Sequence, residues 1–171
     1  WEVHGMHPRI RYREAAGRVI LTRWREMMSY RAGTLLGEDI EELHAMRVSS
    51  RRLRAAMDAF EPAFPRKTFR RHLRQVKEIT DTLGDARDLD VAIDGYTAML
   101  EGCDDEERPA IEGLVARMRD ARTAETTVIA ALFQRLAVDE FAERFESYVA
   151  EHTGVTVEAL DPRPPGEHRG G

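Results

Sequence analysis

The stretch His44-Ala45-Met46-Arg47-Val48-Ser49-Ser50-Arg51-Arg52-Leu53-Arg54 concentrates side chains that could do chemistry. On a helix turning ~100° per residue, His44, Arg47, Arg51 and Arg54 share an arc of about 80°. Leu43, Met46, Ser50, Leu53, Met57 and Phe60 fill a neighbouring arc of about 100°, the expected core face. Arg52 lies further round, towards solvent or a neighbouring subunit. Guanidinium groups stacked at i, i+3/i+4 and i+7 repel one another when no carboxylate separates them. An anion lying over the row removes that repulsion. Arginine suits phosphate because its planar fork donates two parallel hydrogen bonds to phosphate oxygens. His44, at the end of the row, adds a donor whose charge varies near neutral pH.

A second row follows at once. Phe69, Leu73, Val76, Ile79 and Leu83 repeat as an apolar arc, and Arg66, Arg70, Arg74 and Lys77 occupy the arc beside it. Lys67 and Arg71 lie further round, and His72 falls among the apolar positions, where a packed histidine is expected. Two antiparallel helices would therefore face each other's basic rows across a groove. Arg11, Arg18 and Arg25, at i, i+7 and i+14, offer an extension of it. A single arginine on a helix ordinarily belongs to a solvated face. The segregation here is different: residues 44–77 hold ten Lys/Arg against two acids, a charge of +8. Residues 1–43 are neutral and residues 78–171 carry −13, which gives the whole chain its net −5. Such unevenness points to a local anion site on an acidic protein.

Other chemistries find less support. Asp85, Asp88, Asp90 and Asp94 are dense enough to raise a metal site or phosphate-processing chemistry. Yet Asp90 and Asp94 are spaced i, i+4 while Asp88 points elsewhere, and no glycine-rich phosphate loop is present. His44 has no nucleophile partner. His4, His7, His44, His72, His152 and His168 lack the close ligand spacing of a metal chelator. No catalysis and no cofactor are expected. A nucleic-acid-binding module is the main alternative, since a basic groove attracts any polyphosphodiester. The basic stretch contains only Phe60, Phe64 and Phe69 as aromatics, however, which leaves few stacking platforms.

The elements that must position these rows are helical nearly throughout. The 171 residues are 42% hydrophobic and 33% charged, with 12 Gly and 7 Pro, which suits one ordinary domain with a real core. Apolar periodicity predicts helices over 9–32, 39–60, 66–83, 85–101, a long one after the acidic turn at 104–107, and a short one over 140–151. Gly84 is read as the residue ending the third helix, and Asp85 as the N-cap of the fourth. From Gly154 onward Pro and Gly dominate, so 155–171 reads as a linker or frayed tail after a domain over 1–154. The fold class is all-α, an antiparallel bundle of about six helices. No apolar run reaches the length that spans a bilayer. One cysteine, Cys103, gives no internal disulfide and fits a reducing, cytoplasmic setting. Trp1 is not a natural initiator, so the chain is expected to be part of a longer one.

The signature His44-Ala-Met-Arg47-Val-Ser-Ser-Arg51-Arg52-Leu-Arg54-Ala55, followed some thirty residues later by Leu83-Gly84-Asp-Ala-Arg87-Asp88-Leu-Asp90-Val91, resembles the CHAD family, the conserved histidine α-helical domain. The resemblance covers about 15–154. It implies an all-helical protein built from two similar bundle halves around a basic channel that binds inorganic polyphosphate. Members can localise to polyphosphate granules, and some are fused to a triphosphate-tunnel (CYTH) domain. By resemblance, His44, Arg47, Arg51, Arg52 and Arg54 belong to the first-half signature. Arg70, Arg74 and Lys77 are basic positions on the next helix, and Arg87 belongs to the second signature. Asp88 and Asp90 either hold neighbouring arginines or serve as helix caps. A second half with its own His/Arg/Lys motif does not follow, so the chain reads as an N-terminal half. Its expected partner is then the C-terminal half or a second copy.

Overall fold

A computed structural model describes residues 1–160 of the chain. These contain six α-helices and no strand: α1 (Tyr12–Ser29), α2 (Arg31–Leu36), α3 (Ile40–Phe60), α4 (Arg66–Met99), α5 (Arg108–Val138) and α6 (Phe141–Thr153). Short 3-10 turns lie at Glu61–Ala63 and Val157–Ala159.

The number of helices agrees with the sequence reading through two opposite differences. The first expected helix is two, because the chain breaks at Tyr30 and restarts as the six-residue α2, which ends on Gly37 at φ 69°. The third and fourth expected helices are one, since α4 runs for 34 residues straight through Gly84 and Asp85. Asp85 is therefore not an N-cap, and Asp88 and Asp90 cap nothing. The physical reason is packing. Leu83, Ala86 and Asp90 are all buried on either side of the glycine, so tertiary contacts hold one helical path through a residue that costs about 1 kcal/mol relative to alanine. α3 begins one residue after the expected start: Asp39, read as the first helical residue, is its N-cap, accepting from the Glu41 N–H at 2.8 Å.

The helices form an up-down-up-down bundle. Trp24 donates to Glu146 at 2.7 Å, and a methyl on Gly17 would sit 2.3 Å from Thr153 Oγ1; together these set α1 antiparallel to α6. Tyr12 reaches Ala59 O, and Arg52 reaches Glu26, which sets α1 antiparallel to α3. Asp90–Arg122 and Glu78–Arg135 do the same for α4 and α5. α6 continues the direction of α5 after a break at Glu140 (φ 49°), and covers the first third of α4.

The core gathers the faces the periodicity predicts. Leu43, Met46, Ser50, Leu53 and Met57 of α3 are buried, as are Phe69, Val76, Ile79 and Leu83 of α4. Trp24 packs edge-on against Phe141, with ring centroids 5.6 Å apart, and tilts over Phe145 at 4.7 Å. The far part of the α4–α5 hairpin is thinner: Val115 is the one buried residue between Val91 and Val128. Val155 and Leu160, within the segment read as a linker or frayed tail, are buried and join the core. Residues 161–171, the rest of that expected linker, lie outside the described residues.

Candidate anion-binding site

Two contacts fix how α3 and α4 lie against each other. A methyl on Gly84 would lie 3.6 Å from Arg47 Nε, so the Arg47 side chain crosses α4 at that glycine. At the other end Arg70 donates to Glu61 at 3.1 Å. Both contacts belong to the same antiparallel register. In it Arg54 comes level with Lys77, and His44 with Arg87. The expected arc of α3 therefore lies along α4, with the glycine under its most closely seated arginine.

The sequence-predicted site residues divide by their partners. Among the described residues, none of His44, Arg47, Arg51, Arg54, Arg74, Lys77 and Arg87 forms an ion pair. His44, Arg47, Arg54 and Arg87 are half-buried, whereas Arg51, Arg74 and Lys77 are exposed. His44 Nδ1 and Arg47 Nε are shielded from solvent and have no hydrogen-bond partner. A buried polar group without a partner costs about 1–3 kcal/mol, and a guanidinium N–H needs an acceptor that the chain does not supply. Arg74 stands about 60° further round α4 than Lys77, at the outer edge of the row.

Arg52 and Arg70 differ from the others. Arg52 lies about 100° further round α3 than Arg51, where it donates to Glu26 at 2.8 Å; Glu26 also accepts from Arg23 at 2.8 Å and is only 3% exposed. The Arg52 head therefore reaches across to α1, while its side chain stays 57% exposed to solvent, as its place on the helix predicts. Arg70, together with Arg66, is held by Glu61 at the α3–α4 corner. Asp90 holds neither Arg87 nor any α3 arginine: it is buried and accepts from Arg122 of α5 at 2.7 Å, 32 positions away, with its Oδ2 unpartnered. That pair ties α4 to α5 below the row and was not legible, because nothing local in sequence joins the two residues. Asp88 is exposed in mid-helix.

Arg11 and Arg18 do not extend the α3–α4 row. They line a separate hollow with His152 and Thr153 where α1 meets the end of α6, and Arg18 pairs with Glu14 at 3.2 Å. His72 is buried among Phe141, Phe145 and Tyr148, as its place in the apolar arc predicts. Burial, with the cations Arg144 and Arg71 nearby, pushes it down to about 4, so it is neutral at pH 7. Among the described residues no group of three or more His, Cys, Asp or Glu side chains is placed to hold a metal ion. No helix among them is long and apolar enough to cross a membrane.

No curated protein and no solved structure matches the chain significantly. A family model described as the CHAD domain does match it, over residues 18–167, which is most of its length and includes both signatures. The chain belongs to the CHAD domain family.

Proposed function

We propose that the chain binds inorganic polyphosphate without catalysing a reaction, along the side of the bundle where α3 and α4 meet. One observation carries this reading: a row of seven cationic or cation-capable side chains, Arg47 seated over Gly84 among them, has no carboxylate partner. Family membership supports it, since CHAD domains are associated with polyphosphate in general. His44, Arg47, Arg51 and Arg54 line one wall of the groove, and Arg74, Lys77 and Arg87 the other. Arg52 and Arg70, which the signature groups with these residues, are each tied to a carboxylate and in this reading hold the fold beside the row rather than the polymer.

The chemistry is binding alone. Each guanidinium donates charge-assisted hydrogen bonds to non-bridging oxygens, and a long polymer engages several at once. Cations condensed on the polymer are displaced, which adds a salt-dependent driving force by analogy with nucleic-acid backbones. Localisation to polyphosphate granules, completion of the groove by a C-terminal half or a second copy, and fusion to a CYTH domain extend the same reading.

The test is binding of the folded chain to long-chain polyphosphate at physiological salt, with single-stranded DNA as competitor. The expected result is binding that withstands excess DNA and drops when Arg47 and Arg51 become alanine. Equal competition by DNA would favour a general polyanion groove, and a folded chain that ignores polyphosphate would refute the proposal for this chain.

A further inference from the structure

On another face of α4, about 120° round from Lys77, a cleft of about 400 Å³ opens between α4 and α6, with Arg71, His72, Arg144, Tyr148 and Glu151 in its lining. Thr68, Gln75 and Ser147 complete the lining, so its apolar surface is the Tyr148 ring and the stems of polar side chains, and the Gln75 Oε1 is shielded without a partner. Arg71 and Arg144 are both exposed and, among the described residues, neither forms an ion pair. The acids Glu143 and Glu151 also line the cleft, yet they leave both guanidiniums unclaimed.

His72 lies at the cleft wall, 7% exposed. Its Nδ1 is shielded from solvent and has no partner. Its Nε2 makes no hydrogen bond either, and is not shielded in that way, so Nε2 is the nitrogen that reaches the cleft. The ring is neutral, and one nitrogen must carry the proton. A buried N–H without an acceptor is the costlier orphan, whereas a bare nitrogen lone pair among aromatic rings loses less. The proton therefore sits on Nε2, and His72 presents an N–H donor to the cleft, flanked by two free guanidiniums.

Arg144 and Arg71 act on His72, and Glu151 acts on Tyr148, whose phenol is pushed up to about 12 mainly by burial. The Tyr148 hydroxyl is already committed, donating to Pro65 O. What remains is His72, Arg71 and Arg144 as donors, the face of the Tyr148 ring, and two carboxylates, Glu143 next to Arg144 and Glu151 near Tyr148.

We infer that this α4–α6 cleft is a second binding site, for a small organic monoanion or phosphate monoester. The oxyanion head sits on His72 Nε2–H, Arg71 and Arg144, and the apolar body lies along the Tyr148 wall. The site is distinct from the α3–α4 row. It takes single headgroups rather than a polymer, because Glu143 and Glu151 oppose continued negative charge.

The test uses the folded 171-residue chain with phenyl phosphate, benzoate and inorganic phosphate as probes, read by NMR of the His72 imidazole. Phenyl phosphate or benzoate should shift the His72 ring signals. The double variant Arg71→Gln with Arg144→Gln should weaken that binding about tenfold or more, while Arg51→Gln leaves it unchanged. Benzoate binding as tightly as phenyl phosphate would assign a carboxylate ligand, and the reverse a phosphate monoester. Both substituted arginines are exposed, so the variant keeps its core. The inference is overturned if no probe moves the His72 signals at millimolar concentration, or if the double variant binds as the parent does. Loss of polyphosphate binding in Arg51→Gln with these shifts intact would separate this site from the α3–α4 row.

Discussion

Arg51 and Arg52 are neighbours in sequence and in the same signature, yet the turn of about 100° between them on α3 points one along α4 and the other towards α1. Arg52 is clamped to the buried carboxylate of Glu26, which also holds Arg23, so on the α1 side two cations share one acid inside the bundle. On the α4 side Arg47, Arg51 and Arg54 have no acid at all. Both faces are basic, and only one is neutralised. Membership of a basic motif therefore does not assign a common role. The angle around the helix and the presence of a carboxylate across the interface decide between holding the fold and holding a ligand.

The largest expected effect comes from the unpaired face. Replacing Arg47 and Arg51 together with alanine should weaken polyphosphate binding about a hundredfold or more, two charge-assisted hydrogen-bonding groups being worth at least about 1.5 kcal/mol each. Chemical denaturation should find that pair of substitutions nearly neutral for stability. Arg52→Ala should invert the pattern. It leaves Glu26 with Arg23 alone, and because Arg52 is 57% exposed the loss is about 1 kcal/mol of stability. Its polyphosphate affinity should stay within about threefold of the parent.

Two glycines sharpen the same contrast by thermal unfolding. Gly17→Ala on the α1–α6 side drives a methyl to 2.3 Å from Thr153 Oγ1, and should destabilise by about 1–3 kcal/mol. Gly84→Ala places its methyl at ordinary contact distance from Arg47, 3.6 Å from Nε, so it should be neutral or stabilise α4 by up to about 1 kcal/mol. Gly84→Leu should displace Arg47 and weaken polyphosphate binding while the bundle stays folded.

A change of pH alone should move stability without touching the basic row. His72 has a folded value of about 4 against 6.5 when exposed. The folded state therefore resists taking up its proton, and stability is lost as pH falls from 6.5 towards 4, with no further change from this group above 6.5. Arg71 and Arg144 oppose protonation, while Glu143 and Glu151 line the same cleft. Between pH 7 and pH 5 the loss should be about 1–2 kcal/mol, and His72→Phe should flatten that part of the profile.

The helices and their buried faces were largely legible, because a 3.6-residue repeat is written locally. The start of α3 to within a residue, the Leu43–Met57 stripe and the packed His72 needed nothing beyond their neighbours. Gly84-Asp85 misled because its local preference is to stop one helix and start another; burial of Leu83, Ala86 and Asp90 against other elements overrides it. The basic arc on α3 could be read, but which arginines already have acids could not. Glu26 for Arg52 and Arg122 for Asp90 come from 26 and 32 residues away, and no pattern within one helix announces them. The α4–α6 cleft was hidden for the same reason, since Arg71 and Arg144 meet only in the folded bundle.

The central claim is tested most directly by measuring polyphosphate affinity, at two salt concentrations, for the parent, the Arg47/Arg51 double alanine variant and Arg52→Ala. The account predicts salt-sensitive binding by the parent, a loss of about a hundredfold or more in the double variant, and near-parental binding by Arg52→Ala. It is contradicted if Arg52→Ala, shown to be folded, loses as much affinity as the double variant, or if the double variant binds as the parent does.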